Sequence, residues 1–174
     1  NKPGAGGIVG AEYVAHAKPD GYTLLYTANG IVATYPYLYK KLSYDPQRDF
    51  TPLHGVQKVY MLVVVRADSP FKTLDDLIAY GKKNPGKLNY ATIGTGSVQH
   101  LFGELLQKEA GFKMTAIPYK GLAPALNDLL GGSIDITLDY PITMKDQIEA
   151  GKVRALAISG EQRAKSLPDV KTVA

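Results

Sequence analysis

The sequence predicts an α/β fold, with helices and strands alternating to build a doubly wound sheet. Three observations carry that reading. From Thr73 to Ser159 the order helix, glycine stop, strand recurs four times, with stops at Gly86, Gly111, Gly131 and Gly151. The recurrence of about 20–25 residues suits βαβ units, and nothing beyond this grammar repeats as a solenoid would. The run from Val59 to Val65 is apolar throughout, as in a strand buried on both faces.

Each element follows from local chemistry. Ile8 to Ala17 reads as a short helix entered through glycines and ended before the turn tripeptide Pro19-Asp20-Gly21. Tyr22 to Thr27 is β-branched and aromatic, hence a strand. A tyrosine- and proline-rich stretch without clean period follows, through Pro46. Val59 to Arg66 is the next strand. Thr73 and Asp76 are spaced as a capping box for a helix with Leu74, Leu77 and Ile78 on one face, stopped by Asn84-Pro85-Gly86. Leu88 to Ile93 is a strand. Ser97 caps a helix whose Val98, Leu101, Phe102, Leu105 and Leu106 fall at helical spacing before Gly111. Met114 to Ile117, Ser133 to Asp139 and Val153 to Ser159 read as strands, separated by helices over Leu122 to Leu130 and Ile142 to Ala150.

Composition bounds the chemistry. The 174 residues are 45% hydrophobic and 21% charged, which is ordinary globular usage and argues against wholesale disorder. The longest apolar run is far short of the roughly 20 residues that span a bilayer. With no cysteine there is no disulfide scaffold, thiolate metal site or cysteine nucleophile. The net charge of +4 is mild and scattered, whereas nucleic-acid binders concentrate charge on one face. His16, His54 and His100 lie far apart, so no metal site is expected. Gly4 to Gly10 lacks both a preceding strand and the dinucleotide-binding spacing, so no cofactor is expected.

In a doubly wound sheet, ligands bind beyond the carboxyl ends of the strands. That rule singles out the loops at 27–30, 94–97, 118–121, 139–141 and 159–161. Gly94-Thr95-Gly96-Ser97 follows a strand and opens a helix, so its small residues, hydroxyls and helix-end N–H groups suit a carboxylate or phosphate. In the plainer alternative Ser97 only caps the helix. His100, one turn on, reaches back toward the same mouth or simply decorates the helix. Tyr119 walls a pocket and Lys120 neutralises an anion, or Lys120 is only solvated. Asp139 accepts from a ligand ammonium or hydroxyl, or caps the following helix. Thr27, Ala28, Asn29 and Gly30 offer small polar groups in the same manner. No catalytic residue is expected: an enzyme using Ser97 with His100 as base lacks an orienting acid and the glycine-flanked nucleophile elbow.

The chain as a whole resembles the tripartite tricarboxylate transporter receptors, the Bug family of periplasmic solute-binding proteins. The similarity runs end to end. It begins with Asn1 to Glu12 and Lys18-Pro19-Asp20-Gly21-Tyr22-Thr23-Leu24-Leu25, then Tyr44-Asp45-Pro46-Gln47-Arg48-Asp49-Phe50. It continues through Leu88-Asn89-Tyr90 with Gly94 to Ser97, Ile117 to Gly121, Leu129 to Gly132 and Gly151 to Ala157, and closes on Leu167 to Ala174. The resemblance implies a periplasmic-binding-protein-like (type II) fold of two lobes that close on a small carboxylated solute for a membrane transporter. It implies that Gly94 to Ser97 help hold a ligand carboxylate. It also implies that Thr27 to Gly30 contribute from the first lobe, and that His100, Tyr119, Lys120 and Asp139 line the second.

On that comparison residues 1–59 form a partial first lobe, 60–160 the second lobe and 161–174 the start of a segment returning to the first. The first lobe is expected to be incomplete, exposing a sheet edge that is poorly ordered or pairs with another chain in a dimer or swapped arrangement. The implied location is periplasmic. A standalone carboxylate sensor or scavenger is the non-transport alternative.

Overall fold

The structure is a computed structural model that describes every residue except Asn1, Pro3, Gln57 and Ala174. The first two of these belong to the opening motif and the last ends the final one, so those parts of the expectation lie outside the described residues. The elements are α1 (Ile8–Ala15), α2 (Tyr35–Leu38), α3 (Pro46–Asp49), β1 (Leu62–Arg66), α4 (Leu74–Lys83), β2 (Leu88–Thr92), α5 (Val98–Ala110), β3 (Met114–Pro118), α6 (Leu122–Gly131), β4 (Ile136–Asp139), α7 (Pro141–Glu149) and β5 (Val153–Ile158). A single 3₁₀ turn, Ala5–Gly7, leads into α1, and a π-turn, Gly30–Thr34, leads into α2.

Five strands form one sheet in the order β3-β2-β4-β1-β5. β2 runs parallel to both β3 and β4, whereas β1 is antiparallel to β4 and β5. The sheet is therefore mixed, and the antiparallel β1 departs from the parallel strands that βαβ units imply. The reason is physical: a strand buried on both faces is a continuous apolar run whichever way it points. Its direction is set by where the chain enters the sheet.

Helices cover both faces. Val63, Val65, Tyr90, Leu106, Ile136 and Leu138 pack with residues of α4 and α5 on one side. Leu62, Val64, Ala91, Ala125, Leu129 and Met144 form the cluster with α6 and α7 on the other. The period-2 alternation along β1 splits Leu62 and Val64 from Val63 and Val65 between these cores. Helix boundaries follow their caps. Thr73 Oγ1 accepts from Asp76 N–H at 3.1 Å while Asp76 Oδ2 accepts from Thr73 N–H at 2.9 Å, a reciprocal capping box. Gln107 is a buried fastener: its Oε1 accepts from Met114 N–H at 2.7 Å and its Nε2 donates to Glu104 at 2.9 Å.

Tyr22 to Thr27 is not a strand. Tyr22, Leu24 and Tyr26 are 90%, 68% and 72% exposed. Propensity sets the extended preference, but a strand needs a neighbour to complete its ladder, and the sheet's five strands all come from 62–158. The N-terminal segment instead gathers a small cluster of Ala11, Ile31, Tyr35 and Tyr44. Tyr44 Oη ties it together by donating to Ile31 O at 3.0 Å. After β5, Leu167 and Val170 pack on the α6–α7 core and Thr172 bridges Ile158 in parallel.

Candidate functional site

The parallel strands β2, β3, β4 and β5 all end at one edge of the sheet, so the loops that follow them share that edge. Antiparallel β1 begins there, with Leu62 opposite Asp139 and Ile158. Tyr119 N–H donates to Thr92 O at 2.8 Å, which places the loop after β3 beside the loop after β2.

The Gly94–Ser97 loop is built from two left-handed glycines, Gly94 at φ +121° and Gly96 at φ +78°. Gly94 faces open space, whereas Gly96 is covered: a Cβ there would lie 2.3 Å from Leu38 Cδ1 and 3.2 Å from Tyr35 Cε1. Tyr39 Oη donates to Thr95 O at 3.2 Å. A Cβ on Gly30 would lie 3.7 Å from Gly96 O. The structure thus brings Gly30 and the α2 segment onto the 94–97 loop. Thr27, Ala28 and Asn29 are exposed just before that contact.

Hydrogen bonding decides which groups of the loop remain available. Gly94 N–H donates to Thr92 Oγ1 at 3.4 Å, Ser97 N–H to Gly94 O at 3.2 Å, and Gly96 N–H to His100 Nδ1 at 3.2 Å. Ser97 Oγ caps α5 by accepting from His100 N–H at 3.3 Å. The N–H groups of Thr95, Val98 and Gln99 find no acceptor among the described residues. They sit where the dipole of the 13-residue α5 is positive. Ser97 and His100 do not form a nucleophile–base pair, because the His100 ring faces the Gly96 amide. His100 is therefore a brace of the loop, its Nδ1 acting as an acceptor.

The other expected residues fall as follows. Tyr119 Oη donates to Asp128 Oδ2 at 2.7 Å, and that bond pushes its pKa up to about 12. The ring is thereby tethered to α6. Lys120 is exposed and makes no ion pair among the described residues. Asp139 is buried; its Oδ1 accepts from Tyr140 N–H at 2.7 Å and from Thr143 Oγ1 at 2.6 Å, which anchors the first turn of α7. Its Oδ2 has no partner among the described residues. Sequence reasoning missed Gln99: it is 1% exposed, and neither side-chain atom has a partner. Its polarity at a position facing the sheet was the available signal. A cleft of about 670 Å³ also opens on the β1–β5 side of the same edge, between Tyr60, Tyr140, Ile142 and Gln162.

Two substitutions test these assignments. Ser97→Ala removes the cap, so chemical denaturation is expected to show a loss of about 1 kcal/mol; an unchanged midpoint would overturn the capping role. Burial raises the Asp139 carboxyl above its ordinary 3.8, opposed by the bonds from Thr143 and Tyr140. The folded state then holds a proton that the unfolded chain has released. This group's contribution is full below its ordinary value and is lost as pH rises through the folded value. Asp139→Asn is expected to flatten that decline in thermal melts run upward from the ordinary carboxylate value. Parallel curves for the two proteins would remove Asp139 as its source.

A mixed sheet with helices on both faces and loops gathered at one edge is an α/β architecture that this chain shares with solved periplasmic binding proteins. The solved structure of the periplasmic binding protein BugD matches with a TM-score of 0.90 and 42% identity, over 99% of this chain and 57% of that one. The chain belongs to the tripartite tricarboxylate transporter family receptors, whose family model matches residues 1–174. A relative from Agrobacterium vitis, a UPF0065 protein from the TAR-I ttuE-ttuC' intergenic region, is 46% identical over 99% of this chain and 50% of its own length. An R. palustris protein solved with adipate matches at TM-score 0.91 and 38% identity, covering 96% of this chain and 56% of that one. MatC from Rhodopseudomonas palustris, solved with bound malate, matches at 0.87 and 35%, covering 97% and 57%. The chain spans about half the length of the curated relatives it matches. These structural relatives are substrate-binding receptors rather than enzymes.

Proposed function

We propose that this chain is part of a periplasmic receptor that captures a small carboxylate-bearing solute and delivers it to the membrane subunits of a tripartite transporter. Residues 1–59 belong to one lobe and 60–160 to the other, with 161–174 beginning a return after running along β5. The observation that carries the reading is the set of N–H groups at Thr95, Val98 and Gln99, beneath a loop on which the first lobe's Tyr35, Leu38 and Tyr39 are seated. Such amides favour an anionic oxygen at a helix N-terminus. A site touched by both lobes also couples ligand capture to closure. Gly94, Thr95, Gly96 and Ser97 shape the cradle and His100 braces it. Thr27 to Gly30 lie next to it from the other lobe, and Tyr119, Lys120 and Asp139 flank it. The malate and adipate held by two structural relatives support carboxylate as the ligand class.

Calorimetric titration of the full-length receptor with mono-, di- and tricarboxylates tests this directly. At least one is expected to bind, and Ser97→Ala to weaken it about tenfold. Failure of every carboxylate to bind would overturn the proposal. In the same reading the exposed side chains of Tyr22 and Leu24 pack against the rest of the receptor or against a second copy. Size-exclusion chromatography of the full-length protein distinguishes the two.

A further inference from the structure

Gln99 occupies the first turn of α5, beside the loop that forms the proposed cradle. It is 1% exposed, and both its Oε1 and its Nε2 lack a hydrogen-bond partner among the described residues. Helical side chains tilt toward the N-terminus of their helix, the end of α5 that carries Gly94–Ser97. An amide buried with two unmet valences is costly, at a position where an apolar residue would pack without that cost. The other buried glutamine of the same helix, Gln107, engages both of its side-chain atoms. A buried and wholly unengaged amide is therefore not a general habit of this helix.

We infer that Gln99 is a specificity-determining residue of the carboxylate site, reading a hydroxyl carried by the ligand next to its carboxylate. This rests on the carboxylate reading above and adds the substituent. The chemistry selects the group. An amide offers an acceptor oxygen beside a donor NH2, and a hydroxyl engages both by donating to Oε1 and accepting from Nε2. A second carboxylate would answer the donor but set its oxygens against Oε1. An ammonium would answer Oε1 and leave Nε2 unmet. The adjacent N–H groups of Val98 and Gln99 take the carboxylate, so the preferred ligand class is a hydroxycarboxylate.

The test is calorimetric titration of the full-length receptor with matched acids that differ at one carbon. These are succinate, malate and aspartate, together with glutarate and 2-hydroxyglutarate. The hydroxylated member of the preferred chain length is expected to bind about tenfold or more tightly than its unsubstituted and ammonium-bearing counterparts. Gln99→Leu is expected to abolish that preference, bringing the hydroxylated acid's affinity down to that of its unsubstituted counterpart, and to melt no lower than the parent protein when unliganded. Gln99→Met gives the same readout should the leucine variant fail to fold. Equal affinity for the hydroxylated and plain acids, or a preference that survives these substitutions, would overturn the assignment and leave the carboxylate reading intact. Binding of no acid in either series would overturn this assignment, and the wider panel of mono-, di- and tricarboxylates then decides the carboxylate reading separately.

Discussion

Leu138→Ala is expected to cost about 3–4 kcal/mol of folding stability, the largest effect of any single truncation argued from this structure. Leu138 is fully buried on β4, faces Val63 across the antiparallel ladder, and packs with Tyr90, Leu106 and Ile136 under α5. β4 lies between β2 and β1, so strands on both sides prevent the backbone from closing on the cavity. The loss therefore includes the cavity as well as the lost transfer of the removed carbons. Urea denaturation gives the value directly, with an unchanged slope as the sign that only stability moved. Leu105→Ala, at a half-exposed position on α5, is the matched control and is expected to change stability by about 0.5 kcal/mol or less. Similar losses at the two positions would refute the packing account.

Gly103→Ala is expected to destabilise by about 2–3 kcal/mol and to weaken ligand binding as well. Helix propensity alone points the other way, since alanine is favoured over glycine by about 1 kcal/mol in a helix interior. Packing decides the sign. A Cβ on Gly103 would sit 2.3 Å from Tyr90 Cε2, 2.6 Å from Cζ and 2.9 Å from Oη. Tyr90 cannot swing aside, because its ring is fully buried and its Oη donates to Glu104 at 3.2 Å. Instead α5 must move away from β2, carrying with it Ser97, Val98 and Gln99 and hence the proposed cradle. Gly131→Ala, where a Cβ meets nothing within 4 Å, is the control and is expected to be neutral or slightly stabilising. A neutral Gly103→Ala would show that the helix and strand approach less closely than this contact requires.

The amino-acid sequence by itself determined the elements from Thr73 onward, because their signals are local. The Thr73–Asp76 capping box, the Ser97 cap and the left-handed glycines at 86, 111 and 151 each act within a turn of chain. The stop read at Gly131 falls one residue later, on Gly132 at φ +78°. Alternation along β1 likewise assigned its residues to two faces without reference to any neighbour. The loop after β2 was legible for the same reason: glycine, threonine, glycine and serine between a strand and a helix describe a helix-end cradle wherever they occur.

Only the tertiary structure decided what depends on contacts between distant residues. The direction of β1 follows from the point at which the chain enters the sheet. Whether Tyr22 to Thr27 forms a ladder depends on a partner strand, which extended propensity does not supply. The seating of Leu38 and Tyr35 on Gly96, and the bond from Tyr39 to Thr95, join positions more than 50 residues apart, and no local pattern encodes that meeting. His100 was legible as a residue near the mouth, but its role as an acceptor for Gly96 N–H required the turn geometry. Gln99 is the clearest case. Its polarity is visible in the sequence, but the burial that gives its unmet hydrogen bonds consequence arises only when α5 packs on the sheet.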